Sequence, residues 1–267
     1  MFWPVTGFSG GSSGATLREL ASAAHREQRL VPKAPEMNYR IEHGPSFAWL
    51  KVALAEGDEI QAEAGAMVCR DPQVEMTTHL NAGRRAGVFR ALLAFLIALA
   101  RKFLGGETMF VNRFRSSGPG EVILAPALSG QIIHKRLDAA SKLFVQTGSY
   151  LASTGEVDTR VRFTGLRSLL GGEGLVLLEC RGEGDLWVNS YGGVLPLEVN
   201  GTFTVDTGHI VAFDGSLDFK VKSVGGMKSL FLSGEGLVCE FSGRGVVYIQ
   251  SRNLQALVGW LSRLLPA

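Results

Sequence analysis

Three times along this chain the same strand–turn–strand module recurs, and a chain written that way has few folds open to it. The copies read FLGGETMFVNRFRSSGPGEVILAP from Phe103, SLLGGEGLVLLECRGEGDLWVNS from Ser168 and SLFLSGEGLVCEFSGRGVVYIQS from Ser229. Each joins a glycine–glutamate turn, an apolar strand, a glycine turn and a second apolar strand. The turn glutamates are Glu107, Glu173 and Glu235. A second motif precedes each copy: IQAEAGAMVCRDPQVEMTT from Ile60, LFVQTGSYLASTGEVDTRVRF from Leu143 and FTVDTGHIVAFDGSLDFKVKS from Phe203. Its central glycines, Gly65, Gly148 and Gly208, are expected in tight hairpins or bulges, where glycine takes a positive φ without penalty. The alternation in Asp218-Phe-Lys-Val-Lys sets apolar side chains along one face of a sheet.

Each module is about two hairpins of roughly 60 residues, and such a unit cannot bury its apolar face without a neighbour stacked on it. The expected fold is all-β: a single domain over 37–266 with three tandem double-sheet modules, about 37–135, 136–195 and 196–252. The 34 glycines fit this reading, because they fall between apolar runs and follow no triplet period. Leu254, Leu257, Val258 and Leu261 lie at helical spacing, so a C-terminal helix over 253–265 is expected to pack on a sheet. Residues 1–36 read as a flexible N-terminal extension. Within it Thr16 and Glu19 resemble a capping box, and Met37 reads as an alternative or true start of translation. No secretory signal pattern opens the chain. Net charge is +2 with scattered basic residues, which does not fit a nucleic-acid-binding face. Cys69, Cys180 and Cys239 lie far apart in apolar runs, which suits a reducing compartment better than a disulfide framework.

The segments MNYRIEHGPSFAWLKVAL, EAGAMV, VDTGHIVAFD and SRNLQALVGWLSRLLP, with the three glycine–glutamate turns, carry a resemblance. Over 37–266 the ordered set resembles the bacterial branch of the altered-inheritance-of-mitochondria (mitochondrial biogenesis) family, formerly a domain of unknown function. The resemblance implies a fold similar to the tryptophan RNA-binding attenuation protein, repeated within the chain. It also implies assembly into trimers and no enzyme activity.

The copies differ in one place. From Gly65 to Glu107 is 42 residues, against 25 from Gly148 to Glu173 and 27 from Gly208 to Glu235. The surplus falls in 86–104, where Ala91 to Ala100 are ten apolar residues in a row, and a helical insertion is expected there. Ten helical residues span about 15 Å, half of a hydrocarbon core of about 30 Å, so they do not cross a membrane. Burial in the core or at a subunit interface is the plainer expectation. The sharper one is insertion into a membrane surface through Phe89, Leu92, Leu93, Phe95, Leu96, Ile97 and Leu99, with Arg101 and Lys102 meeting anionic head groups.

No catalytic constellation is legible. Glu107, Glu173 and Glu235 could in principle gather as three carboxylates around a cation, but a residue that recurs with a turn is explained first by the turn. Asp206 and His209 could orient a base; an Asx-type turn is the better account. His25, His43, His79, His134 and His209 lack ligand spacing, so neither a metal nor a cofactor is expected. Tyr39, Trp49, Tyr150, Trp187, Tyr191, Tyr248 and Trp260 sit singly in apolar runs and read as core. The leading expectation is a non-enzymatic structural or interaction protein, a homo-oligomer with the trimer favoured. It is placed in the cytoplasm, peripheral at the inner face of the membrane. Alternatives are a β module for a sugar, lipid or small anion, and an RNA-binding ring protein; nucleic acid is not the expected partner.

Overall fold

Strands of alternating apolar residues pair in the same order three times. The computed structural model describes residues 37–80, 110–164, 175–223 and 237–264, all within the unit Glu36–Ala267. After β1 (Asn38–Glu42), module one holds β2 (Trp49–Leu54), β3 (Glu59–Glu63), β4 (Met67–Arg70), β5 (Val74–Leu80), β6 (Phe110–Ser116) and β7 (Gly120–Leu124). Module two holds β8 (Ile132–Leu137), β9 (Lys142–Gln146), β10 (Tyr150–Thr154), β11 (Asp158–Thr164), β12 (Leu175–Arg181) and β13 (Gly184–Asn189). In module three the first two strands run together as β14 (Val194–Asp206) and the last two as β17 (Leu237–Gln250). Between them lie β15 (Ile210–Asp214) and β16 (Asp218–Ser223).

All these strand pairings are antiparallel. The first strand of a module pairs with the sixth, as β2 with β7 and β8 with β13. The second pairs with the fifth, as β3 with β6 and β9 with β12. The third returns to the sixth and the fourth to the fifth. In module three β17 takes β14 along one edge and both β15 and β16 along the other. The fold is all-β, as its alternation requires.

Two local devices recur with the strands. The third strand carries a bulge in each module, at Val68, Leu151 and Val211, where two residues oppose one on the partner. It then leaves by the same turn: the amides of Val74, Val157 and Leu217 donate to the carbonyls of Asp71, Thr154 and Asp214, at 3.0, 3.1 and 3.1 Å. The apolar residue closing that turn is buried every time. Gly65 takes the expected positive φ of +93°. Gly208 does not: it lies in the 3₁₀ turn Thr207–His209, and a Cβ there would run into the Asn253 side chain. Close approach, not backbone handedness, keeps it a glycine. Gly148 sits in the matching 3₁₀ turn Thr147–Ser149.

Modules are joined by one step. The third strand of a module pairs with the second strand of the module before it. On β3, β10 sets Ala152 opposite Ala62, Ser153 opposite Gln61 and Thr154 opposite Ile60. On β9, β15 sets Ala212 opposite Val145, Phe213 opposite Phe144 and Asp214 opposite Leu143. The core straddles these joints. Leu151, Ala152 and Trp187 of module two pack with Leu50, Ile60 and Phe114 of module one. Phe144 and Leu177 of module two pack with Phe213 and Phe241 of module three.

The expected terminal helix forms as α1 (Leu254–Ser262), with the Asn253 side chain accepting from the amides of Gln255 and Ala256 at 2.9 and 3.2 Å. It does not bury its stripe. None of its residues is buried, and Leu254, Val258, Trp260 and Leu261 are exposed. Trp260 is therefore no core residue. The apolar residues follow a helical period, but among the described residues no sheet face covers them.

If the turn-closing residue anchors each module, Leu217→Ala should cost about 2–5 kcal/mol, the usual range for a buried leucine. Urea unfolding measures it, and a loss under about 1 kcal/mol would show that the turn does not seat the core.

Candidate interaction surface

The buried carboxylates inside the sheets are paired and hold strands together. Asp185 on β13 is fully buried. Its carboxylate receives Arg136 Nη1 at 2.7 Å and the Met37 amide at 3.2 Å, and lies 2.7 Å from His134 Nε2. His134 and Arg136 alternate along β8, so both face the same side, and the cluster pins the start of the body to module two. Sequence reasoning missed this cluster, although the His-x-Arg alternation on a strand is a usable signal. Glu179 on β12 is buried between Arg162 and Arg181. Burial alone would raise its pKa; the hydrogen bond and charge of Arg162 and the charge of Arg181 outweigh that and hold the carboxyl below the usual range.

The expected Asp206–His209 pairing resolves as turn chemistry. Asp206 accepts from the Gly208 amide at 2.7 Å, while His209 Nδ1 lies 2.7 Å from the Gln250 carbonyl. The glycine carbonyl of the 3₁₀ turn is held in two modules alike, by Asn189 on Gly148 at 3.3 Å and by Gln250 on Gly208 at 3.0 Å. Among the described residues no group of His, Cys, Asp and Glu is placed to hold a metal ion. No helix among them is long and apolar enough to cross a membrane. A shallow cleft is lined by Asn38, Tyr39, Arg40, Lys51, Ala53 and Glu121, but Lys51 and Glu121 answer each other at 2.6 Å. Glu107, Glu173 and Glu235 lie outside the described residues, as do Phe89, Leu92, Leu93, Phe95, Leu96, Ile97, Leu99, Arg101 and Lys102.

What stands out on the surface is apolar. Besides α1 and Leu264, it includes Met67 and Val68 on β4 and Phe203 on β14. Comparing the modules explains why these three are unusual. Val68 is 50% exposed, while its counterparts Leu151 and Val211 are 0% exposed. Phe203 is 43% exposed, while its counterparts Ile60 and Leu143 are 0% and 2% exposed. β4 and the 200–206 half of β14 are the third and second strands at the two ends of the row of modules. Among the described residues neither has a strand on its outer edge. Unpaired edges of this kind are templates for pairing with another chain.

The Glu179 site makes a pH-dependent prediction. Its carboxyl binds a proton less readily folded than unfolded, so the stability it adds is full above the ordinary glutamate pKa of 4.5 and is lost as pH falls through the lower folded value. Glu179→Gln should destabilise by about 1–3 kcal/mol at neutral pH, and the gap to wild type should close on acidification. Denaturant melts across pH measure it, and a gap independent of pH would refute the pairing.

The geometry has relatives. An uncharacterised protein of Streptococcus pyogenes serotype M6 is 30% identical over 246 residues, covering 91% of this chain and 96% of that protein. A Streptococcus pyogenes protein with a solved X-ray crystal structure is 31% identical with a TM-score of 0.71, covering 86% of this chain and all of that one. The family model described as mitochondrial biogenesis AIM24 matches residues 39–252. That match starts within β1 and ends just before the cap of α1, taking in all three modules, and the chain belongs to the mitochondrial biogenesis AIM24 family.

Proposed function

We propose that the protein is a non-enzymatic structural protein that assembles into a homo-oligomer, with three copies favoured, and lies as a peripheral scaffold on the cytoplasmic side of a membrane. The observation that carries this reading is where the exposed apolar side chains sit. Val68 and Phe203 are exposed at the two ends of the row of modules, and Leu254, Val258, Trp260 and Leu261 along α1, in positions suited to contact with something outside the chain. The polar clusters buried within the sheets are occupied in holding strands.

The terminal helix supports the membrane part. Val258, Trp260, Leu261 and Leu264 are exposed, and Arg252 and Arg263 stand at its two ends. An apolar stripe with an indole and flanking cations suits the boundary between head groups and acyl chains. The apolar segment 86–104, with Arg101 and Lys102 after its apolar run, would add a second contact of the same chemistry.

Light scattering and flotation test the two parts. The purified protein should have the mass of three copies and should float with vesicles containing anionic lipid. Trp260→Glu and deletion of 86–102 should each weaken flotation. A monomer at every concentration would refute the assembly, and a wild type that stays at the bottom of the gradient would refute the membrane contact.

A further inference from the structure

The open edges of β4 and of residues 203–205 are complementary in kind, and the chain already makes their joint twice. We infer that β4 of one copy pairs antiparallel with residues 203–205 of β14 in a second copy, forming head-to-tail the same joint that β10 makes on β3 and β15 makes on β9. This deepens the assembly reading above and rests on it.

The register follows from the two existing joints. In each, the residue four after the turn glycine of the later module faces the residue three before the turn glycine of the earlier one. Ala152 faces Ala62, and Ala212 faces Val145. Applied to the free edges, the rule sets Cys69 opposite Val205, Arg70 opposite Thr204 and Asp71 opposite Phe203. β4 is prepared for it: it carries the bulge and the exit turn of β10 and β15. Burial supplies the driving force. The bulge residue is covered wherever a preceding module exists and is bare only at Val68, which has none. Phe203 is bare only where no following module exists. Cys69 is exposed, while its counterparts Ala152 and Ala212 are wholly buried. Filling the third joint would cover all three positions and pair two open strand edges at once.

A joint of this kind is heterologous, using different surfaces on the two copies. It closes into a ring if the rotation allows and otherwise runs on as a filament. Three copies closing would give a ring in which β4 and residues 203–205 of every copy are paired.

The test uses full-length protein with one end blocked. Val68→Lys spoils the β4 end and Phe203→Lys the β14 end. Both sites are exposed, so folding should be kept, as thermal melting will check. Each variant alone should lose assembly and run as a monomer by light scattering, and an equimolar mixture should give dimers and nothing larger. A second readout needs no variant. Cys180 and Cys239 are buried, so thiol labelling reports on Cys69. Labelling should be slow in assembled wild type and should speed up on dilution. If wild type assembles while either blocked variant still does, or Cys69 labels equally fast at every concentration of an assembled protein, the joint is wrong and the assembly reading survives. A wild type that never assembles overturns both.

Discussion

Everything in this fold depends on one short antiparallel contact, the three-residue joint between the second strand of one module and the third strand of the next. A module of this size exposes too much apolar surface to stand alone. The joint solves that by lending each module a strand from its neighbour and by tucking the bulge residue, Leu151 or Val211, out of water. Trp187 belongs to module two by sequence, yet it is packed among module-one residues. Phe144 likewise serves the cluster of module three, stacking with Phe213 at 5.1 Å between ring centroids. Each core cluster takes members from two adjacent modules, which ties the folding of each module to the presence of the next.

Much of this was legible in the chain and some was not, for physical reasons. Aligning Gly65, Gly148 and Gly208 places the third strand, its exit turn and the buried Val74, Val157 and Leu217 in one register. Alternation alone marks the strands. Pairing between modules was not legible, because β3 meets β10 across some ninety residues of chain and no local pattern reports a partner that distant. Alternation also cannot tell a covered edge from a bare one. Phe203 and Val68 have the same character as their buried counterparts and differ only in lacking a neighbour. The helix stripe misled in the same way: Leu254, Val258 and Leu261 have a helical period, but period does not say what covers them.

Asp185, Glu179 and Asp206 are each taken up by partners that fix strands or turns, so the charged interior is structural chemistry. Burial pushes the Cys180 thiol up, and pushes that of Cys239 up to about 12, which leaves both as small apolar side chains. On the outside lie the bare edges of β4 and of residues 203–205 and a helix with an uncovered apolar stripe. A chain built of repeats that join by edges is prepared to continue joining.

Backbone hydrogen exchange, followed over a range of protein concentration, tests that claim most directly. The amides of β10 and β15 should be protected at every concentration, since their joints are within one chain. The amides of β4 and of 203–205 should exchange quickly when the protein is dilute and approach the protection of β10 and β15 when it is concentrated. Fast exchange at both ends regardless of concentration would contradict a third joint between copies.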